Sequence, residues 1–530
     1  MSAEPRLARS AGVAGVATLT SRILGLVRDQ VVLALFGAGN DMDAFTVAFR
    51  IPNLVRDLFA EGAMSAAFVP AFTRHVTLEG RASAWRLGNN VITALIVATG
   101  VVVVAGMIFA GPLATAFAGD YALIPGKLEL TIQLTRLMLP FLTLAAIAAA
   151  MMGMLNSLHH YFVPALSPAT FNVATIAAAV SLTPVMAAAG LPPITSIAVG
   201  ALAGGVAQIL AQWRALHAEG FRYRPVVDWH DPALRRILVL MGPGTVGLAA
   251  TQVNLFVNTV LATGEGTGAA SWLSYAFRLM YLPIGLFGVS IATVVLPAAA
   301  RHAALEDPAA VRRTVSRGLG LMLALNVPAT IGLIVLAMPI VRVLFEHGRF
   351  LPSDTEAVAA ALRFYAIGLV GYSAARIASP VFYAIDRNRV PVAVSIAAVL
   401  LNIGASVALV GPLGFRGLAL STSLAALVHG VALLMVLRGV LGGLDGRRLA
   451  ATLVKTTAAS GAMAGAALVT HAWLTRIIQD QSTLAQALTL ALAISAGLAV
   501  LAIAGRLLRI PEFDEAVSSA RAQARKLLDR

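Results

Sequence analysis

The chain has 530 residues, of which 58% are hydrophobic and only 12% are charged, and its formal net charge is +14. Soluble proteins have about a quarter of their residues charged, so the composition excludes a soluble globular protein and predicts a polytopic membrane protein. The absence of cysteine excludes disulfides, thiolate catalysis and cysteine-ligated metals. Excess positive charge in such a chain is typical of cytoplasmic loops, so no nucleic acid partner is expected.

Fourteen apolar segments follow one another along the chain, each long enough to cross about 30 Å of hydrocarbon as a helix. The first segment has Arg6 and Arg9 near its start, as in a signal peptide, but Arg22, Arg28 and Asp29 come soon after and no soluble domain follows. We therefore interpret it as a retained span. The sequence predicts an all-α fold with spans at residues 8–37, 42–76, 84–117, 128–157, 164–188, 193–217, 232–263, 269–302, 309–336, 354–385, 389–411, 415–440, 448–477 and 483–508.

The loops between these spans are alternately rich and poor in arginine. The positive-inside rule places the rich set in the cytoplasm and with it both termini, which agrees with an even number of spans. The rich set holds Arg74, Arg81, Arg86, Arg222, Arg224, Arg235, Arg236, Arg301, Arg312, Arg313, Arg317, Arg387, Arg389, Arg447 and Arg448. The poor set holds Lys127, Arg349, Arg416 and Arg476.

The chain contains an internal repeat. Ala48-Phe49-Arg50 matches Ala276-Phe277-Arg278, and Val163-Pro164 matches Val390-Pro391, each pair at a separation of 227 or 228 residues. An offset that spans six helices predicts two six-helix bundles of the same orientation, an arrangement that secondary transporters use for alternating access.

The repeat predicts four parts of the chain. Two pseudo-symmetric six-helix lobes come first, two extra helices follow them, and the charged residues from Pro511 onward are expected to lie in water or on the anionic leaflet. The predicted boundaries are 1–220, 221–445, 446–510 and 511–530.

Charged residues in the first two spans are the clearest functional signal. Charges in hydrocarbon are costly and usually mark a substrate path, and here arginines predict an anionic substrate. Arg22 and Arg28 are six residues apart, so they could flank one groove. Arg278 is the repeat partner of Arg50 in a span without a nearby carboxylate. We predict a substrate role for Arg28, Arg56 and Arg278.

Two roles are possible for the carboxylates of the same region. Asp43 and Glu61 could contact the substrate or could neutralise neighbouring arginines, and the sequence does not decide between these roles. Asp29 directly follows Arg28, and we expect it to point elsewhere on the helix.

No motif for catalysis or for a cofactor stands out. Gly242-Pro243-Gly244-Thr245-Val246-Gly247 matches a dinucleotide-binding pattern by letter, but it begins a membrane helix and lacks a preceding strand, so we interpret it as a kink. The chain has no P-loop lysine motif, no zinc-binding histidine pair and no convincing acid–base pair. No cofactor, metal site or enzymatic activity is expected.

Four sequence runs resemble the MurJ (MviN) family of lipid II flippases, within the multidrug/oligosaccharidyl-lipid/polysaccharide exporter superfamily. They are S-R-I-L-G-x-x-R-D from Ser21, D-A-F-x-V-A-F-R-I-P-N from Asp43, R-x-L-F-A-E-G-A from Arg56 and Y-A-F-R-L-M-Y-L-P-I-G-L-F-G-V-S from Tyr275. The likeness covers essentially the whole chain. It implies two lobes around a central cationic cavity, and a groove with the two extra helices that holds the undecaprenyl tail.

The resemblance also implies a function and a site. It implies a flippase that moves lipid II, the undecaprenyl-pyrophosphate-linked disaccharide-pentapeptide, to the outer leaflet of the bacterial cytoplasmic membrane by alternating access. The expected partners are lipid II, membrane lipids and the cell-wall synthesis machinery. The family's critical charges correspond to Arg22, Arg28, Asp43, Arg56 and Arg278, and Glu61 also matches the motif.

The chain departs from the family pattern at three places. Asp57 stands where a second arginine is common, and Phe277 stands where an acidic residue often precedes the arginine. Some relatives bind sodium through carboxylates on the seventh and eleventh helices. These spans here offer Asn254, Asn258 and Asn402 but no carboxylate, so sodium coupling is not expected, and coupling to the membrane potential or to protons stays open.

Two alternatives remain open at this stage. One is an exporter of another lipid-linked oligosaccharide or of drugs, although a drug exporter is expected to line its cavity with carboxylates. The other is a membrane glycosyltransferase, which would need catalytic carboxylates in a large outer loop, whereas every predicted outer loop is short.

Overall fold

The computed structural model describes residues 4–57, 63–226, 228–478, 480 and 482–513. The described residues are almost entirely helical and include no strand. The first nine helices are α1 (Glu4–Phe36), α2 (Asn40–Arg56), α3 (Ala63–Arg74), α4 (Arg81–Ile108), α5 (Ala110–Ala118), α6 (Lys127–Met138), α7 (Phe141–Ser157), α8 (Phe162–Ala188) and α9 (Thr195–Ala218).

The second half of the chain continues the series. Its helices are α10 (Pro232–Thr263), α11 (Ala269–Pro283), α12 (Val289–Ala304), α13 (Pro308–Val335), α14 (Ala337–Phe345), α15 (Pro352–Ile367), α16 (Leu369–Ala384), α17 (Arg389–Leu413), α18 (Phe415–Val440), α19 (Gly446–Ile477) and α20 (Thr483–Leu507). Short π-helical turns follow α3 and α11, and a 3-10 turn, Gly119–Leu123, follows α5.

The internal repeat is visible in the helix boundaries. α14 begins and ends 227 residues after α5, the same offset as in the sequence. The helix before each of them is interrupted at equivalent residues, Phe109 and Leu336, which have nearly the same backbone angles (φ −92°, ψ 19° and φ −101°, ψ 13°). The break belongs to the repeated unit, and this confirms the predicted repeat.

Each of the fourteen predicted spans coincides with one helix or with two consecutive helices. Within the described residues, nine of these spans are long and apolar enough, by length and composition, to cross a membrane. α15 and α16, which are bent by 43° at Gly368, make a tenth if the pair is one span. The other predicted spans coincide with α1, α2 with α3, α10 and α19. α1 carries several charges and α19 is rich in small polar residues, which lowers their hydropathy. The all-α, polytopic class is confirmed.

The chain divides into two compact units, Met1–Ser271 with His347–Leu351, and Trp272–Glu346 with Pro352–Arg530. α10 belongs to the first unit, where it packs on α3 and α5. Asn89 and Asn90 of α4 hold the connector before α10 through hydrogen bonds to its backbone. The division into two six-helix lobes, two extra helices and a tail, which the sequence predicted, stays a prediction.

Each unit has its own apolar core. In the first unit, Phe68, Phe72 and Met154 are fully buried where α3, α4 and α7 meet. In the second unit, α12, α13, α16 and α18 share a core that includes Phe382. α16 and α18 cross so closely that a Cβ atom on Gly371 would lie 2.4 Å from the Ala426 carbonyl oxygen, so only glycine fits there.

Candidate substrate-binding site

Arg28 is a half-buried cation on α1, with 19% of its side chain exposed. Its Nε and Nη2 donate to Asp29 Oδ1 at 3.2 and 2.8 Å, and its Nη1 donates to Asn172 Oδ1 of α8 at 3.0 Å. The guanidinium carbon lies 5.9 Å from the centre of the Phe171 ring. A guanidinium has five N–H donors, and these contacts use three of them, so the held group can still bind an anion.

The expectation that Asp29 points away from Arg28 is wrong. Successive residues on a helix are about 100° apart, but the long arginine side chain bends back along the helix surface to reach its neighbour. Only 10% of the Asp29 side chain is exposed. The pair therefore adds Asp29, a carboxylate that was not predicted as a site residue, to the surroundings of Arg28.

Asn172 is a site residue that the sequence analysis missed. Its amide oxygen accepts from Arg28, and its Nδ2 donates to the Ser21 backbone carbonyl at 3.0 Å. The amide therefore fixes the guanidinium of Arg28 to the backbone of α1. An amide side chain within a predicted membrane span was the signal available in the sequence.

Arg56 repeats the arrangement seen at Arg28. Its Nε and Nη2 donate to Oδ1 of the next residue, Asp57, at 3.1 and 2.7 Å. About 30% of each side chain is exposed, 28% for Arg56 and 30% for Asp57. In both pairs the carboxylate occupies the Nε edge of the guanidinium. Asp57, which departs from the family pattern, is thus the ion-pair partner of Arg56, a predicted substrate-binding residue.

Arg50 links α2 to α10. Its Nη1 donates to Thr259 Oγ1 at 3.1 Å, and the Thr259 hydroxyl in turn donates to the Leu255 carbonyl. From the sequence, Arg50 was identified only as a marker of the repeat. It lies on α2 between the predicted site residues Asp43 and Arg56, and its side chain is half-buried.

Asp43 forms a buried ion pair with Lys127. Its side chain has no exposed surface, 1% of the Lys127 side chain is exposed, and Nζ lies 2.9 Å from Oδ2. The Lys127 ammonium also lies 4.0 Å from the centre of the Tyr121 ring. Burial, and then the charge of Asp43, raise the pKa of the Tyr121 hydroxyl, so the ring stays neutral beneath the ammonium.

The same carboxylate holds the end of the connector between α10 and α11 and the first turn of α11. Asp43 accepts from the backbone N–H groups of Gly268 and Ser271 at 2.6 and 3.1 Å and from the Ser271 hydroxyl at 2.8 Å. Gly268 has φ +94°, a conformation that favours glycine. The partner of Asp43 is thus Lys127 and not an arginine, and in this conformation the carboxylate supports the ion-pair alternative. Its contact with substrate stays a prediction.

The buried pair carries a testable consequence for stability. Asp43→Asn would leave the Lys127 ammonium buried beside a neutral amide, and breaking a buried pair from one side costs about 3–5 kcal/mol. We expect a clear drop in the unfolding temperature of the purified protein, partly restored in Asp43→Asn/Lys127→Met. Asp120→Asn, at an exposed carboxylate nearby, is the control. Unchanged unfolding of Asp43→Asn together with lost transport would instead support a substrate role.

Two further predicted site residues are Arg22 of α1 and Glu61. Arg22 is an exposed side chain. Glu61 lies outside the described residues.

Arg278 lies in the second unit as an exposed side chain of α11. Its guanidinium carbon lies 5.2 Å from the centre of the Tyr275 ring. Phe277, which stands in place of an acidic residue, stacks on Tyr281 with ring centres 6.0 Å apart and meets Tyr365 edge-on at 5.4 Å. The departure from the family pattern therefore builds an aromatic surface beside the predicted cation.

Arg376 of α16 is a second cation at this aromatic surface. Its Nη2 donates to the Tyr281 hydroxyl, and its guanidinium carbon lies 5.5 Å from the centre of the Tyr281 ring. The side chain is exposed. Arg376 was not predicted as a site residue, although an arginine within the predicted span 354–385 is the same kind of signal as Arg28.

An apolar groove runs along the second unit. Its cavity has a volume of about 300 Å³ and is formed by α13, α14, α19 and α20 with two residues from the end of α11 and the turn after it. Side chains that bound this apolar groove include Leu325, Leu336, Met463, Leu498, Leu501 and Phe513. A groove of this composition suits an alkyl or isoprenoid chain and not a charged group.

The profile of the family described as "Lipid II flippase MurJ" matches residues 32–504. The chain belongs to this family. It is 35% identical over 431 residues to a protein named probable lipid II flippase MurJ from Vibrio cholerae, covering 80% of this chain and 81% of that one. It is 34% identical over 511 residues to the protein of the same name from Rhizobium meliloti, covering 93% and 92%. The resemblance inferred from the four sequence runs is confirmed.

Solved structures agree on the fold. A structure described as lipid II flippase MurJ in an inward closed conformation matches with a TM-score of 0.75 at 24% identity, covering 93% of this chain and 99% of that one. An inward-facing multidrug resistance transporter of the MATE family matches with a TM-score of 0.68 at 14% identity, covering 82% and 99%. At these identities the likeness shows the fold alone.

Proposed function

We propose that this protein is a lipid II flippase that moves the undecaprenyl-pyrophosphate-linked peptidoglycan precursor from the inner to the outer leaflet of the bacterial cytoplasmic membrane. The observation that carries the proposal is the pairing of two features in a chain of this family. Arginines within the spans offer donors to an anion, and a separate apolar groove offers a surface to a lipid chain. Lipid II has both parts, a pyrophosphate headgroup and an isoprenoid tail.

The arginines suit the pyrophosphate. The arrangement of Arg28 and Asn172 fixes one guanidinium in direction, and a fixed guanidinium makes two parallel hydrogen bonds to a phosphate group. Lysine offers a point charge without that geometry. We assign Arg28, Arg56 and Arg278 to contacts with the pyrophosphate, each at some stage of transport.

The apolar groove suits the tail. Moving the sugar–peptide head through hydrocarbon without help would strip water from many polar groups at a prohibitive cost. A flippase lowers this cost by giving the head a polar environment while the tail stays in an apolar one. The groove on α13, α14, α19 and α20 provides the second environment in this chain.

The arginines also argue against the alternatives. MATE transporters share the fold, but a cavity for cationic drugs would need carboxylates that are not neutralised, whereas Asp29 and Asp57 are each paired with an arginine. We further propose that transport is by alternating access, that both termini lie in the cytoplasm, and that the flippase works alongside the cell-wall synthesis machinery.

Complementation tests the proposal directly. Expression of this chain is expected to restore growth and lipid II externalisation in a bacterium depleted of its own lipid II flippase. An empty vector is the control for growth, and membrane immunoblotting is the control for expression. Continued accumulation of lipid II on the cytoplasmic side, despite normal expression, would contradict the proposed function.

A further inference from the structure

The chain does not leave the second unit at the end of α20. Arg509 adopts φ +50°, and the Ile510 N–H then donates to the Gly505 carbonyl at 3.0 Å, which turns the backbone back towards the bundle. Ile510 is 1% exposed and packs with Met463 and Leu501. Pro511 is exposed, but Glu512 is buried and Phe513 packs against the same cluster, so the expectation of a tail in water or on the leaflet is wrong for Glu512 and Phe513. Residues 514–530 lie outside the described residues.

The Glu512 side chain is held in a buried pocket between α13 and α19. Its side chain has no exposed surface, and its Oε1 accepts from Arg448 Nη2 and Nε at 2.8 and 3.3 Å. Its Oε2 accepts from the Thr452 hydroxyl at 3.4 Å. A Cβ atom on Gly320 of α13 would lie 2.8 Å from Oε1, so glycine leaves the space that this carboxylate fills. A buried carboxylate needs such partners, because an unpaired one would be strongly destabilising.

The anchored segment places Phe513 at one end of the apolar groove. The ring lines the groove cavity, and it lies 3.1 Å from where a Cβ atom on Gly505 would be. Gly505 is about one helical turn beyond Leu501, the last residue of α20 that lines the groove. On α13, Gly320 lies about one turn before Ala324, where the lining begins. Both helices therefore place the anchor just past the same end of the groove.

We propose that Phe513 forms the end wall of the lipid groove and contacts the isoprenoid chain, and that Glu512 is a positioning residue that seats this ring. The inference rests on the proposed function, because it takes the occupant of the groove to be the tail of the transported lipid. The proposal adds Phe513, a residue beyond the last span, to the residues that bind the lipid tail. Glu512 acts through Phe513 and does not touch the lipid.

The test is equilibrium binding of undecaprenyl phosphate and of farnesyl phosphate to the full chain purified in detergent. Both probes carry the same headgroup, so a difference in affinity between them reflects the length of the isoprenoid chain. We expect Phe513→Ala and Glu512→Gln each to weaken undecaprenyl phosphate binding about fivefold, because an apolar contact is lost, and to leave farnesyl phosphate binding within about twofold. Phe513→Leu, which keeps an apolar side chain, is expected to bind nearly as the unchanged protein does.

Three further variants separate the positioning role of Glu512 from a general effect on stability. If Glu512 acts only through the ring, Glu512→Gln/Phe513→Ala binds no more weakly than Phe513→Ala alone. Leu507→Ala removes a side chain that is 78% exposed at the end of α20 and is the matched control. Thr452→Val removes the hydrogen bond to Oε2 and keeps the ion pair with Arg448, so it provides a milder variant if Glu512→Gln does not fold.

The outcomes are distinct. Equal affinity of the unchanged protein, Phe513→Ala and Glu512→Gln for undecaprenyl phosphate overturns the end-wall inference and leaves the proposed function in place. No preference of the unchanged protein for undecaprenyl over farnesyl phosphate overturns the assignment of the groove to the tail, and the end-wall inference with it. An additive double variant overturns the positioning role of Glu512.

Discussion

Arg28→Ala is expected to abolish complementation while the protein still accumulates in the membrane. The substitution removes the donors that we assign to the pyrophosphate, and it leaves Asp29 without its arginine beside an anionic substrate. Hydrogen bonds to charged groups contribute about 1.5–3 kcal/mol each, which corresponds to a loss of about 10- to 100-fold in lipid II externalisation. The measurement is lipid II exposure at matched expression, with Arg236→Ala, an exposed arginine of α10, as the control.

A double variant separates a substrate contact from a structural ion pair. If Arg28 only neutralises Asp29, then Arg28→Ala/Asp29→Ala removes both charges and should transport normally. If Arg28 binds the pyrophosphate, the double variant stays inactive, because no donor returns. The same logic applies to Arg56→Ala/Asp57→Ala, since that pair has the same geometry. Active double variants at both sites would refute the pyrophosphate role.

Lysine replacement provides the third arm of this test. Arg28→Lys keeps a positive charge but cannot donate to Asp29 and Asn172 and still present two parallel donors to a phosphate. We expect partial activity, between that of the alanine variant and that of the unchanged protein. Arg278, which lies over Tyr275 in the second unit, is expected to behave in the same way. Full activity of the Arg28, Arg56 and Arg278 alanine variants would show that the assignment is wrong.

The fold was largely predictable from the sequence because the membrane imposes its own pattern. Each predicted span coincides with a helix or a helix pair, since about 30 Å of hydrocarbon requires a long apolar segment with all backbone groups bonded internally. The repeat was visible because its offset is constant, and the same offset relates the breaks at Phe109 and Leu336. The breaks themselves were not predicted, because neither residue is a typical helix breaker.

The partners of the charged residues were much less predictable. Lys127 lies 84 residues from Asp43, and the sequence analysis grouped it only with the few cations of the outer joints. Asn172 lies 144 residues from Arg28. Such pairs form where helices pack, and a single sequence carries no record of which helices are neighbours. Glu512 illustrates the same limit, since a charged residue after the last span resembles a solvated tail unless Arg448 and Gly320 are known to surround it.

Energy coupling leads to the second prediction with a large expected effect. The seventh and eleventh spans, α10 and α17, offer asparagines but no carboxylate to a cation. Asn402 is buried, and its amide oxygen accepts from the Ser406 hydroxyl at 3.1 Å. Amide oxygens can ligate sodium, but a buried cation without a neighbouring negative charge binds weakly. We therefore do not expect a dedicated sodium site there.

Three titratable groups of the described part of the first two spans are also engaged. Asp29 and Asp57 are paired with arginines and Asp43 with Lys127, so carrying a proton on any of them would require an ion pair to break. The arginines themselves stay protonated at any physiological pH. A fixed positive charge that moves with the carrier responds to the membrane potential, at about 2.3 kcal/mol per charge per 100 mV.

We therefore expect flipping to stop when the membrane potential is collapsed and to continue when sodium is removed. The measurement is lipid II exposure in cells that depend on this chain, in sodium-free medium, with and without an ionophore that collapses the potential. An ionophore that dissipates only the pH gradient is the matched control, and it should leave exposure nearly unchanged. Loss of exposure on sodium removal at constant potential would point to a sodium site that α10 and α17 form without a carboxylate, and it would refute coupling through the arginine charges alone.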